Sequence, residues 1–137
     1  MPRIRYSLGD TVSLGEEKCG CPLGLPVLGN ICGRVDELLL SLDGSLVSGH
    51  LINSIVRNTK GVNRYRFTQH TPGRATIEIV KNGSYTSEEE SFLLGELSNA
   101  LGGVIVIANY VDGIEPGDSG KRRYIVRRFP IHSDGVE

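Results

Sequence analysis

From Gly33 onward the hydrophobic positions follow two periods, one near two residues and one near 3.6. LLLSLDGSLVS (38–48) reads as a β-hairpin, because Asp43-Gly44 between apolar runs is a strong two-residue turn signal. Leu51, Ile52, Ile55 and Val56 then recur at helical spacing, with Gly61 suited to close that helix. Val62–His70 alternates as a strand, with Tyr65 and Phe67 on one face and Arg64 and Arg66 on the other. Thr71-Pro72-Gly73 turns the chain into a second strand, Ala75–Lys81. Ser87 with Glu90 predicts a capping box that opens a second helix. Leu93, Leu97 and Leu101 form the buried stripe of that helix, and Gly102-Gly103 ends it. GVIVIANYV (103–111) predicts a short apolar strand at the centre of the sheet. A loop over Asp112–Gly120 precedes a last strand in RRYIVRRF (122–129).

The order after the hairpin is helix, strand, strand, helix, strand, strand. It predicts an α+β fold: a small mostly antiparallel sheet with two helices on one face, preceded by a β-hairpin. Residues 1–32 show neither period and hold three cysteines and three prolines, so an irregular N-terminal segment is expected there.

Composition narrows the function classes. The 137 residues suit one domain with an appended segment. Lys and Arg total 15 against 16 Asp and Glu, a formal charge of -1, and there is no Trp and only three Phe. That balance argues against a nucleic-acid partner, which wants a basic field and stacking aromatics. No apolar run approaches the ~20 residues that span a bilayer, so no membrane partner is expected. The start lacks a signal peptide's apolar core, and an odd cysteine count argues against a disulfide framework. The expected location is the cytoplasm.

Three segments hold candidate chemistry. PGDSGKRR (116–123) places Gly120 and Lys121 on a loop, where one ammonium can face a phosphate or carboxylate. It is not a Walker loop, because Glu115 stands where the first glycine is needed and Arg122 where Ser or Thr is needed. By itself it equally suits a solvated turn. GRVDELL (33–39) alone reads as a turn with a local Arg–Asp pair. RYSLGD (5–10) puts Asp10 where a carboxylate caps a turn or accepts two ribose hydroxyls.

In this order the three resemble the last core motifs of the adenylate-forming superfamily. Tyr6-Ser7-Leu8-Gly9-Asp10 resembles the end of its large domain, Gly33-Arg34-Val35-Asp36 its hinge, and Ser119-Gly120-Lys121 its catalytic loop. The phenylacetate-CoA ligase branch, with its CapK-like relatives of polysaccharide gene clusters, is most similar. That branch also has a stretch like Cys19-Gly20-Cys21-Pro22-Leu23-Gly24-Leu25-Pro26 before the hinge. The chain departs from the pattern in lacking Arg-Thr before Gly9-Asp10 and in reading Glu115-Pro116-Gly117-Asp118 where Pro-Arg-Thr is usual.

The resemblance implies that residues 1–32 are the end of a large domain and 33–137 a C-terminal lid. Asp10 would hold the AMP ribose, and Arg34 would sit near the phosphate and ribose, with Gly120 also at the nucleotide. Asp36 would be the hinge, and catalytic Lys121 would bridge a carboxylic acid substrate and the α-phosphate. ATP/AMP with Mg²⁺ and CoA as co-substrate are implied. So is a partner, the N-terminal large adenylation domain, in cis or as a separate chain, without which no adenylation is expected. A non-CoA acceptor in polysaccharide biosynthesis and a noncatalytic remnant remain open alternatives. Cys19, Cys21 and Cys32 are candidate Zn²⁺ ligands, against free or buried thiols. Lys121, Arg122, Arg123, Arg127 and Arg128 form a basic end, suited to a solvated strand edge or to attracting phosphates.

Overall fold

The computed structural model describes residues 9–15, 19–23, 26–116 and 123–131. Strands β1 (Asp10–Leu14) and β2 (Leu28–Arg34) form an antiparallel ribbon with two register shifts. A 3₁₀ turn, Val35–Glu37, leads into β3 (Leu38–Leu40), which pairs antiparallel with β4 (Leu46–Ser48) as the expected hairpin. Helix α1 (Gly49–Asn58), β5 (Val62–Thr71), β6 (Arg74–Lys81), α2 (Ser87–Ala100), β7 (Ile105–Tyr110) and β8 (Ile125–Arg127) follow. The four-stranded sheet has the order β7-β6-β5-β8. Its central pair β5–β6 is antiparallel, and both outer pairings are parallel. With the ribbon and the hairpin, antiparallel pairings predominate among the described strands.

Strand alternation builds the core. Phe67, Ala75, Ile77 and Ile79 share one face of the sheet and are buried. Against them pack Ile52, Ile55 and Val56 from α1 and Leu93 and Leu97 from α2, in one cluster with Leu39, Leu101, Val104 and Ile125. Each fully buried aliphatic or aromatic side chain contributes about 1.5–3 kcal/mol, so this layer dominates the fold's stability. Both helices lie on the same face, as the hydrophobic pattern predicts.

Three local expectations shift. The hairpin loop is Leu42-Asp43-Gly44, closed by Ser41 N donating to Ser45 O at 2.9 Å, with Gly44 at φ +86°. The Asp-Gly signal thus marks the end of a three-residue loop whose last residue is left-handed. Hydrogen bonds from the Ser45 hydroxyl (2.7 Å) and amide (2.9 Å) hold the Asp43 carboxyl below its usual range. The second helix is capped by Thr86, whose hydroxyl accepts from Glu89 N at 3.3 Å, and Ser87 is the first helical residue. Glu89 then accepts from Lys60 N at 2.9 Å, tying α2 to the end of α1. That helix ends as expected at Gly102-Gly103: Gly103 N bonds Ser98 O and Gly102 N bonds Asn99 O, the Schellman pattern.

The third shift concerns β7, which is an edge strand and not central. Val106 and Ala108 pack toward the core, whereas Ile105 and Ile107 are more than half exposed on the other face. A run apolar on both faces reads as a buried strand, but here one of those faces is open.

Candidate functional site

Helix α2 and the core fix β5, and β5 organises one end of the molecule. Asp10 and Arg34 are register partners across the β1–β2 ribbon, and Val35 N donates to Gly9 O at 2.9 Å. Two residues beyond Arg34, Asp36 stands in the 3₁₀ turn and pairs with Arg123 at 3.8 Å. The pair is solvent-exposed, 69% and 75%, so it contributes at most about 1 kcal/mol. Arg123 directly follows the 117–122 stretch. The structure therefore brings Asp10 and Arg34 together and sets Asp36, two residues on, against Arg123. Gly120 and Lys121 lie outside the described residues.

Glu115, shortly before that stretch, is held by the sheet. Arg66, on the sheet face away from the helices, donates through Nη2 to the Glu115 carbonyl and stands 3.8 Å from Glu78. On the exit side Phe67 N donates to Tyr124 O at 2.8 Å. Nearby, an open depression of about 770 Å³ lies between α1 and β5 and includes His50, Asn53, Arg57, Arg64, Tyr65 and Tyr124. The Tyr65 and Tyr124 rings lie 5.6 Å apart. Tyr65 donates to Asn53 Oδ1, and burial, reinforced by the neighbouring Tyr124, pushes its phenol up to about 12.

Sequence reasoning missed the groups that fasten the hairpin to the sheet. Gln69 is fully buried; its Oε1 accepts from Leu40 N at 3.0 Å and its Nε2 donates to Leu40 O at 2.7 Å. The side-chain amide thus takes the place of a neighbouring strand for Leu40. Arg127 donates to the Leu38 carbonyl and, through Nε, to Phe129 O at 2.8 Å. This member of the basic end is engaged with protein carbonyls. The only sequence signal for Gln69 was a polar residue on the inward phase set by Tyr65 and Phe67.

The described cysteines do not assemble a metal site. Cys19 is exposed and its sulfur accepts from Cys21 N at 3.4 Å; the Cys32 side chain lies outside the described residues. Among the described residues no three His, Cys, Asp or Glu groups stand together to hold an ion. Structural zinc wants four ligands, so the donor set on view does not fit it. Among the described residues no helix is long and apolar enough to cross a membrane.

Comparison with known proteins places this geometry. In fold the chain is similar to 2-hydroxyisobutyryl-CoA ligase in the postadenylation state with 2-HIB-AMP, at 18% identity and a TM-score of 0.53. It is also similar to that ligase in an open conformation with 2-HIB-AMP and CoA, at 17% identity and a TM-score of 0.50. These alignments cover 87% and 86% of this chain but only 27% of the ligase. The fold thus resembles the C-terminal domain of an adenylate-forming CoA ligase. No curated protein matches. Residues 39–128 match the sequence pattern of the CapK C-terminal domain, and the chain belongs to that family.

Proposed function

We propose that the chain is the lid of an ATP-dependent acid–thiol ligase, working with a large adenylation domain supplied in cis or by a separate chain. Residues 1–32 are the end of that large domain, and 33–137 are the lid. The observation that carries the reading is that Asp10 and Arg34 are register partners two residues before Asp36, which itself pairs with Arg123 just after the 117–122 stretch.

Asp10 accepts the ribose hydroxyls of the nucleotide, and Arg34 and Gly120 lie at its ribose and phosphate. ATP brings Mg²⁺ with its phosphates. Lys121 stands between the acid's carboxylate and the α-phosphate. Negative charge concentrates there as the carboxylate attacks phosphorus, so a fixed ammonium stabilises the transition state more than the ground state. Rotation about Asp36 then withdraws Lys121 and admits the acceptor thiol, a domain rearrangement that separates the two half-reactions. Arg57 and Arg64 beside Tyr124 offer the positive charge that CoA phosphates require.

A second reading of the last step, which the resemblance to CapK-like relatives leaves open, is transfer to a non-CoA acceptor. Joining the chain to a large adenylating domain and screening carboxylic acids by pyrophosphate release tests the proposal. Acid-dependent release only when both parts are present supports it. Release by the 137-residue chain alone, or none from the joined protein with any acid, contradicts it. Acyl-adenylate consumed with CoA, against consumed only with an amine or carrier thiol, separates the two acceptors.

A further inference from the structure

We infer that β7 is a self-pairing edge, through which two copies of this chain join their sheets into one. β7 is an outer strand, and among the described residues no strand lies on its far side. The direction of its backbone groups follows from the ladder to β6. Ile105 N donates to Gly73 O at 3.1 Å, and Val111 N donates to Ile79 O at 3.0 Å. In a parallel pair, alternate residues turn both N–H and C=O toward the neighbour. Ile105, Ile107, Asn109 and Val111 therefore face β6, and Val106, Ala108 and Tyr110 turn their backbone groups to the open edge. The pairing with β6 runs from Ile105 to Tyr110 without a register shift, so that outward row is unbroken.

An edge of this kind is a template for another strand unless charge, proline or a bulge blocks it. IVIANY has none of these. The opposite edge is guarded: β8 is only three residues long and is flanked by Arg123 and Arg128. A two-fold axis sets each residue near its own mate, so a charged edge repels its copy. β7 meets no such penalty. An antiparallel two-fold through its middle lays the row Val106, Ala108 and Tyr110 against the same row of the second copy. Each outward N–H then finds a carbonyl. On the face away from the helices, Ile107 comes beside its mate, next to Ile105, and the two are 53% and 58% exposed in the single chain. Asp112, just past the strand, falls at opposite ends of the ladder in the two copies. Glu78, the carboxylate on the adjoining strand, is already opposed by Arg66 at 3.8 Å. The edge is thus complementary to itself in hydrogen bonding, apolar surface and charge. A ladder this short buries less than the ~1,200–2,000 Å² of a standard interface, so a dissociation constant on the order of 10–100 µM is expected.

Sedimentation equilibrium of the 137-residue chain tests the association, and residue-resolved amide exchange tests its geometry. Average mass should rise from 14.9 kDa toward twice that value between about 10 µM and 500 µM. Over the same range, exchange at Val106, Ala108 and Tyr110 should slow at least about threefold. Ile105, Ile107 and Asn109, already bonded to β6, should not change. Ile107→Lys places like charges beside the axis and alters only an exposed side chain. It should weaken association at least about tenfold with the urea midpoint unchanged. Asn109→Lys, also exposed on that face, serves if Ile107→Lys fails to fold.

A constant monomer mass across the range overturns the inference. So does a rise in mass with unchanged exchange at Val106, Ala108 and Tyr110, which would mark contact through another surface. Association of the folded lysine variant at the parent's strength overturns it too. If those amides become protected only when the chain is joined to a large adenylating domain, that domain covers the edge and the second copy does not.

Discussion

Gln69→Met removes the side-chain amide that substitutes for a strand beside Leu40, while nearly preserving volume. The parent amide gives Leu40 both an acceptor at 3.0 Å and a donor at 2.7 Å. With methionine, the Leu40 N–H and carbonyl lose those partners. A buried polar group left unpaired costs about 1–3 kcal/mol, and Leu40 is half-buried, so water reaches it in part. The volume change adds little. The sum is about 2–4 kcal/mol, a large share of the ~5–15 kcal/mol that a domain of this size holds. Urea unfolding followed by far-UV circular dichroism measures it. With a slope near ~1.5 kcal/mol/M, the midpoint should fall by roughly 1.3–2.7 M. Amide exchange should rise first in 38–48, since the hairpin loses its fastening before the core does. A midpoint shift below about 0.3 M, with hairpin exchange unchanged, would refute the reasoning.

Two further outcomes follow from the same structure. Gly61 has φ +83°, and an added Cβ would lie 2.3 Å from Tyr85 N, so Gly61→Ala should cost at least about 2 kcal/mol in urea unfolding. Gly83→Ala meets nothing within 4 Å and should be neutral or mildly stabilising, which makes it the control. Tyr65 is raised to about 12 by burial, then by Tyr124, so the folded state binds its proton more tightly than the unfolded chain. Its contribution to stability is complete below pH ~10 and lost as pH rises toward about 12. Burial also raises the Tyr85 and Tyr110 phenols, so Tyr65→Phe should remove one of the late-titrating tyrosines from the phenolate absorbance and flatten the loss of stability over that window.

From the hairpin onward, element order and helix faces were legible because they depend on single-chain periodicity. Phe67, Ile77, Ile79, Leu93 and Leu97 recur at the spacing of the face they bury, and all are fully buried. Strand neighbours are a different matter, since pairing depends on tertiary placement. β7 joins β6 in parallel after crossing over through α2, and it ends at the sheet's edge. Its apolar run could not reveal which face would be left uncovered. The cap moved one residue, from Ser87 to Thr86, because consecutive Thr-Ser and Glu-Glu-Glu offer overlapping capping frames. Gln69 and Arg66 escaped for a related reason. Their partners are backbone carbonyls and amides at positions 40 and 115, and no sequence pattern marks those groups. Of the candidate site, the motifs Asp10, Arg34 and Asp36 were individually weak. Their proximity came from ribbon register and from Arg123, a residue read only as part of a basic end.

The most direct test of the proposed lid assignment is the split between half-reactions on Lys121→Ala in the chain joined to a large adenylating domain. Adenylation, followed by pyrophosphate release, should fall about 10²–10³-fold, the scale of removing one transition-state charge partner. Thioester formation from preformed acyl-adenylate should stay within about twofold of the parent, since the proposed rotation withdraws the lysine before that step. Equal loss in both half-reactions, or undiminished adenylation, would contradict the account.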